Sequence, residues 1–158
     1  IFFFRNQSSP SQPTSSQSVN QPSNDTSPQP VDYSAYFAIY TNGTFRVFTA
    51  SMYHNLSSDV FITTQNPNQV QVKRSGVTWK DFFNTLPFEL TQSCLTTGDG
   101  ETFCTGTSGR LTFYLNGVPH EAALDQAIHA GDKLLVRFGQ ENQAQIKKEL
   151  EQLNSLSR

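Results

Sequence analysis

The chain has 158 residues and a formal net charge of −2, and hydrophobic residues make up 35% of it. This length accommodates one domain with a tail, and the hydrophobic share lies below the usual value of about half. The only adjacent basic pairs are Lys73-Arg74 and Lys147-Lys148. A nucleic-acid backbone requires a larger basic patch, so nucleic acid is not an expected partner.

The start of the chain contains a short apolar run, residues 1–4, which stops at Arg5. A helix that spans a bilayer takes about 20 apolar residues. We therefore interpret residues 1–6 as the end of a longer membrane anchor or signal segment; an expression remnant or a short buried plug is the alternative. The anchor interpretation predicts an extracytoplasmic protein, at a cell surface or in a periplasm-like space.

The next segment, residues 7–30, differs in composition from the rest of the chain. It contains one aliphatic residue, Val19, one charged residue, Asp25, and no aromatic residue. Such a segment cannot bury enough apolar surface to offset the entropy that ordering would cost. We interpret it as a flexible Ser/Pro/Gln linker, with the folded domain over residues 31–139.

Two hairpins are predicted at the start of this domain. Residues 36–48 carry an Asn42-Gly43 turn between two runs of aromatic and β-branched residues, which is a strong hairpin signal. Residues 59–64 and 69–74 flank a turn, and the second run alternates valine with polar residues, as a half-buried strand does.

A short helix follows. Thr78 and Asp81 have the spacing of a capping box, and Pro87 ends the element. The apolar residues at helical spacing are Trp79, Phe82, Phe83 and Leu86. This pattern predicts a helix that packs these side chains against the sheet.

The last part of the chain predicts two strands, at 110–116 and 133–138, and a C-terminal helix within residues 140–158. The helix carries a narrow apolar stripe, formed by Ile146, Leu150, Leu153 and Leu156. Packing of the stripe onto the sheet is the simpler interpretation. The alternative is a partner-binding stripe that docks onto another protein or a second copy of the chain.

Cys94 and Cys104 are separated by ten positions, and a turn-rich stretch lies between them. A hairpin folded at residues 98–100 would bring the two thiols opposite each other, which predicts a disulfide. Two free core thiols in a reducing compartment are the rival interpretation. A metal pair is less favoured, because neither cysteine has a CxxC partner or a nearby histidine.

The sequence predicts no catalytic residue, no metal site and no cofactor. The three histidines, His54, His120 and His129, are not placed beside a serine or cysteine that they could activate. Asp99 and Glu101 fall on the predicted turn tip, where water solvates them. No dinucleotide, P-loop, zinc-protease or hydrolase motif occurs.

Four Asn-x-Ser/Thr sequons become candidate glycosylation sites if the protein is exported to a glycosylating surface. These sequons begin at Asn6, Asn24, Asn42 and Asn55.

Two strands, a helix and two more strands follow the β-grasp order. Residues 111–139 resemble the last part of soluble-ligand-binding β-grasp domains and sulfur-carrier proteins. Residues 50–139 resemble an uncharacterised family of membrane-anchored secreted prokaryotic proteins with a β-grasp domain. The motifs that carry the resemblance are Gly76-Val77-Thr78, Phe82-Phe83, Cys94 with Cys104, Tyr114-Leu115-Asn116-Gly117 and Gly131-Asp132-Lys133-Leu134-Leu135. Histidines that often alternate on the strands before the family's helix are missing here, so the resemblance implies location and fold but no metal site.

The expected fold is therefore α+β: a β-grasp-like mixed sheet with one packed helix, an extra N-terminal hairpin, a disulfide hairpin and a C-terminal helix. The expected function is that of a non-enzymatic, membrane-tethered interaction or ligand-binding module. The alternative is a structural subunit of a surface filament or an accessory subunit of a larger membrane complex. A protein partner or self-assembly is expected, with the membrane reached through the N-terminal segment.

Overall fold

A mixed sheet built around one long strand dominates the computed structural model, which describes residues 26–158. The strands are β1 (Pro30–Thr41), β2 (Thr44–Phe45), β3 (Val60–Phe61), β4 (Gln69–Arg74), β5 (Glu89–Leu90), β6 (Cys94–Thr96), β7 (Thr102–Cys104), β8 (Arg110–Leu115), β9 (Val118–Pro119) and β10 (Lys133–Gly139). The helices are α1 (Trp79–Thr85) and α2 (Gln143–Ser155), and short 3-10 turns lie at Ser51–Tyr53 and Ala123–Asp125.

The main sheet has the order β3-β4-β1-β10-β8-β9, and β2 pairs with the end of β1. The central strands β1 and β10 run parallel, whereas β4 is antiparallel to β1 and β8 is antiparallel to β10. The helix α1 connects the first pair of these strands to the second. This is the β-grasp arrangement, so the predicted α+β fold with its mixed sheet is confirmed.

The central strand differs from the sequence-based expectation. The sequence predicts an additional hairpin over residues 36–48, outside the β-grasp sheet. The turn of this hairpin is present, with φ of 49° at Asn42 and 78° at Gly43. Its first strand, however, is the central strand β1 of the main sheet. Within residues 59–64, where the sequence predicts a strand, the structure has only the two-residue strand β3. The physical reason is burial: β1 is enclosed on both sheet faces from Phe37 to Thr41, which suits a central position better than an edge.

The N-terminal boundary of the sheet falls at the end of the predicted linker. Gln29 accepts a hydrogen bond from Ser75 N at 2.9 Å and donates its own N–H to Ser75 Oγ at 2.8 Å. Residues 1–25 lie outside the described part of the chain. They include the predicted anchor, most of the predicted linker, and the sequons at Asn6 and Asn24.

The helix α1 packs on one face of the sheet, as predicted. Thr78 and Asp81 form the capping box, which fixes the start of the helix. Trp79, Phe82 and Phe83 are at most 1% exposed. Burial of each of these side chains contributes about 2 kcal/mol or more, so α1 anchors the main core.

The helix α2 covers the opposite face of the sheet. Asn142 caps its start by accepting a hydrogen bond from Gln145 N. Ile146 and Leu153 are buried, and Leu153 packs in a second apolar cluster with Leu150 and Leu156 at its margin. The stripe predicted from sequence therefore lies against its own sheet, which is the simpler of the two interpretations. A partner-binding role for these residues stays a prediction.

The cysteines form the predicted disulfide within a small separate sheet of order β5-β6-β7. Cys94 lies directly opposite Cys104 in the register of β6 and β7. Such bonds are typical of oxidising compartments outside the cytoplasm. Neither helix in residues 26–158 has the length and apolar character to cross a membrane.

Candidate binding site

A cleft of about 420 Å³ lies at the outer edge of β8, and we call it the edge cleft. Its floor is β8 itself. One wall is the base of the disulfide hairpin near Thr105, a second is the segment around His120, and a third is the first turn of α2 near Ile146. The cleft therefore joins the part of β8 that precedes its pairing with β9 at Tyr114 to the face that α2 partly covers.

Main-chain groups of β8 border this cleft. Asn116 N donates to Lys133 O at 2.8 Å, which sets the alternation of the antiparallel ladder. In that register Thr112 directs its main-chain groups toward β10, and Leu111 and Phe113 direct theirs toward the cleft. The side chains of Leu111 and Phe113 belong to the main core, so their backbone forms the cleft floor.

Two of these four outward main-chain groups are already bonded. Leu111 N donates to Thr105 Oγ1 at 3.0 Å, and Phe113 O accepts from His120 N at 2.9 Å. Leu111 O and Phe113 N have no hydrogen-bond partner among residues 26–158. The edge cleft thus presents one open acceptor and one open donor on neighbouring outward-facing residues.

A buried, ion-paired arginine lines the cleft. Arg137 is the cross-strand partner of Thr112 and is 2% exposed. Its Nε donates to Glu149 Oε2 at 2.7 Å and its Nη2 to Gln140 O at 3.4 Å. Its Nη1 has no partner in the described part of the chain. The guanidinium therefore keeps donor capacity, and Arg137 is one of the residues that line the cleft.

Two buried oxygen atoms near this arginine also have no hydrogen-bond partner within residues 26–158: Thr112 Oγ1 and Glu149 Oε1. An enclosed polar atom without a partner costs about 1–3 kcal/mol. Such unpaired atoms are uncommon in native proteins and call for an explanation, which a ligand or water can supply.

A second concavity, which we call the insertion groove, lies between residues 44–53 and the disulfide hairpin. Its volume is about 540 Å³. Val47 and Met52 border it and are 63% and 52% exposed. Arg46 and Glu101 form an ion pair of 3.3 Å at its side. The groove therefore carries two exposed apolar side chains beside a surface ion pair.

The histidines occupy three separate environments. His54 is buried, with Nε2 at 2.8 Å from Phe48 O and Nδ1 at 3.2 Å from Thr64 Oγ1, so it links the segment after β2 to the segment after β3. His129 Nδ1 lies 3.6 Å from Asp132 Oδ2. His120 lines the edge cleft. The structure does not bring the histidines together, and residues 26–158 contain no group of three or more metal-ligating side chains.

The hairpin tip and the described sequons are exposed. Asp99 and Glu101 lie at the tip, and the hydrogen bond from the Thr97 hydroxyl lowers the pKa of the Asp99 carboxyl. Asn42 and Asn55 are exposed, with φ of 49° and 55°. Both can therefore be reached from solvent.

The edge cleft was not predicted from sequence, although one signal for it exists. The run of residues 133–138 predicts a buried strand, and Arg137 is a charge inside that run. A buried charge requires a partner, so the pattern indicates an ion pair beneath the sheet surface. Nothing local to the sequence indicates that Thr105 and His120 meet the edge of β8.

No protein-family model matches the chain, and neither does any curated protein or solved structure.

Proposed function

We propose that the protein is a non-enzymatic binding module that works outside the cytoplasm and is tethered to a membrane through its N-terminal segment. The single observation that carries the proposal is the edge cleft. It offers an open N–H, an open C=O and an arginine donor around one concavity. These groups recognise a polar ligand, and they do not form a pair of nucleophile and base.

The tether rests on three observations of different kinds. The disulfide between Cys94 and Cys104 is typical of an oxidising compartment. The apolar run at residues 1–4, followed by the polar segment at 7–30, is the pattern expected of the end of an anchor or signal segment and a stalk. The resemblance to membrane-anchored secreted proteins supports the same arrangement.

A second candidate function is favoured by the insertion groove. Val47 and Met52 are exposed apolar residues beside a concavity, and a structural subunit would bury such residues against its neighbour. In that case the polar segment at 7–30 would also lie against another chain, as an added strand or in a groove.

Limited proteolysis of the protein in its native membrane separates the two functions. Residues 7–30 contain no lysine or arginine, so trypsin cannot report on them and a broad-specificity protease such as proteinase K is required. Rapid cleavage within 7–30, with release of an intact monomeric fragment, supports the tethered module. Protection of that segment overturns it in favour of the structural subunit.

A further inference from the structure

We propose that Asn42 is a spontaneous modification site, at which the side-chain amide is lost and aspartate and isoaspartate are formed. The only co-reactant is water, so this inference does not rest on the proposed function. Its basis is a comparison of two Asn-Gly turns that share their main-chain geometry and differ in the bonds of the asparagine side chain.

The two turns are Asn42-Gly43, which follows β1, and Asn116-Gly117, which follows β8. The φ values are 49° and 78° in the first turn and 53° and 82° in the second. Each asparagine is exposed and donates its main-chain N–H to a carbonyl of β10 at 2.8 Å. Neither glycine N–H has a hydrogen-bond partner among residues 26–158. Main-chain geometry and exposure therefore do not distinguish the two turns.

The asparagine side chains do distinguish them. Asn116 is held at both ends of its amide, because Nδ2 donates to Asp132 Oδ1 at 3.0 Å and Oδ1 accepts from Lys133 N at 2.9 Å. The side-chain amide of Asn42 makes no hydrogen bond with any residue of the described chain. Asn42 is therefore the asparagine whose side chain can change its rotamer without breaking a hydrogen bond.

The reaction begins when the main-chain nitrogen of Gly43 attacks Cγ of Asn42. A bond forms between this nitrogen and Cγ, the bond from Cγ to Nδ2 breaks, and the proton of the attacking nitrogen leaves with Nδ2 as ammonia. Water then opens the five-membered imide at either of its carbonyls, which gives aspartate or isoaspartate. Glycine favours the attack, because it has no side chain to shield its nitrogen.

The fold controls the rate through the asparagine side chain. Ring closure brings Cγ next to the following nitrogen, so either turn has to leave its hairpin conformation briefly. Each turn leads into a strand of only two residues, β2 or β9, so this opening is local in both cases. At Asn116 the reaction must also break two side-chain hydrogen bonds. We therefore expect deamidation to be about tenfold to a hundredfold faster at Asn42 than at Asn116.

The modification has a structural consequence for the insertion groove. Isoaspartate lengthens the main chain of the two-residue turn by one carbon atom. β2 pairs with β1 at only two positions, and the next residue, Arg46, donates its main-chain N–H to Ile39 O at 2.8 Å. Both contacts depend on the length of the turn, and Arg46 lines the groove. Isoaspartate at position 42 should therefore loosen β2 and this wall of the groove.

The test uses the full 158-residue chain, unglycosylated and with its disulfide intact, incubated at mildly alkaline pH and sampled over time. Trypsin separates the two turns, because peptide 6–46 contains Asn42 and peptide 111–133 contains Asn116. Mass spectrometry with fragmentation assigns each lost amide to its residue, and methylation by isoaspartyl methyltransferase measures the isoaspartate. We expect both signals to accumulate at Asn42 well before they appear at Asn116.

Unfolding in urea is the matched control. It removes the side-chain bonds of Asn116, so the two Asn-Gly pairs should then react at similar rates. The variant Asp132→Ala removes one of these bonds in the native chain and should accelerate deamidation at Asn116; the urea comparison serves the same purpose if this variant does not fold. Asn42→Gly suits the positive φ of the turn and should abolish the loss of stability that the native chain develops during incubation.

Equal rates at the two asparagines in the native chain, or a faster reaction at Asn116, would overturn the proposal. A preference for Asn42 that persists in urea would overturn it as well, because the selectivity would then come from the neighbouring residues in the sequence and not from the fold.

Discussion

The guanidinium of Arg137 and the carboxylate of Glu149 form an ion pair of 2.7 Å between β10 and α2, with side-chain exposures of only 3% and 4%. Two charges this deeply enclosed lose most of their hydration. Their attraction offsets that loss only while both partners are present. The pair therefore ties the position of α2 to the sheet more strictly than apolar packing alone would.

The first prediction concerns this pair. Glu149→Leu should lower the free energy of unfolding by about 3–5 kcal/mol, because it leaves Arg137 buried and uncompensated. The double variant Arg137→Met, Glu149→Leu should recover most of that loss. Urea unfolding monitored by circular dichroism measures both effects.

An exposed pair is the control for this experiment. Lys73 and Asp32 form a close surface ion pair, and Lys73→Met should change the free energy of unfolding by less than about 1 kcal/mol. A double variant as unstable as Glu149→Leu alone would contradict the buried-charge account and point to lost packing.

The second prediction compares two threonines at the edge cleft. Thr112→Val removes a buried hydroxyl that has no partner in the described chain and keeps its shape, so stability should stay the same or rise by about 1 kcal/mol. Thr105→Val removes the acceptor for Leu111 N and should lower stability by about 1 kcal/mol. Thermal and urea unfolding of both variants distinguish them; a clear loss of stability in Thr112→Val would show that its hydroxyl has a partner.

The third prediction concerns the disulfide. The bond closes a short loop, since Cys94 and Cys104 are separated by ten positions. The chain-entropy model gives a loss of about 2–3 kcal/mol when both cysteines are replaced by alanine. Addition of a reductant should destabilise the native protein by a similar amount and leave the alanine variant unchanged. An equal response of both proteins to the reductant would assign the effect to another cause.

The fourth prediction concerns alkaline pH. Burial, followed by the charge of Glu149, raises the pKa of Tyr40 above its ordinary 10.0. Burial, followed by the charge of Asp132, does the same for the pKa of Tyr33. A raised pKa in the folded state stabilises the protein below pH 10.0, and this contribution is lost as the pH rises through the folded-state pKa.

The corresponding variants are Tyr33→Phe and Tyr40→Phe. Each should flatten the decline of the urea midpoint above pH 10, because phenylalanine does not titrate. Tyr33→Phe should also be less stable at neutral pH, since the Tyr33 hydroxyl donates to Ile128 O at 2.8 Å. An alkaline decline that is unchanged in the double variant would assign the effect to other groups.

The sequence predicted correctly those elements that are determined by residues close together in the chain. The capping box of α1 is set by residues three positions apart, Thr78 and Asp81, and the disulfide hairpin by the turn between its two cysteines. The central position of β1 could not be predicted in this way. It depends on the pairing of residues 36–41 with β10, almost one hundred positions later in the chain.

The edge cleft could not be predicted for the same reason. Two outward main-chain groups of Leu111 and Phe113 stay open because Thr105 and His120 bond the other two. The contacts made by Thr105 and His120 exist only in the folded chain, in which the disulfide hairpin and the segment before β10 lie beside β8. The buried ion pair is an intermediate case, because Arg137 within an apolar run indicates a partner without identifying Glu149.

The parallel pairing of β1 with β10 has a mechanical consequence. The two strands are paired over Tyr36–Thr41 and Lys133–Phe138, and because they run in the same direction, a pull on Pro30 against Gly139 acts along both strands in opposite senses. The bonds between the strands then carry the load together in shear, whereas an antiparallel pair pulled from one end would unzip bond by bond. A domain held by its N-terminal end and loaded through its C-terminal side is therefore built to resist extension.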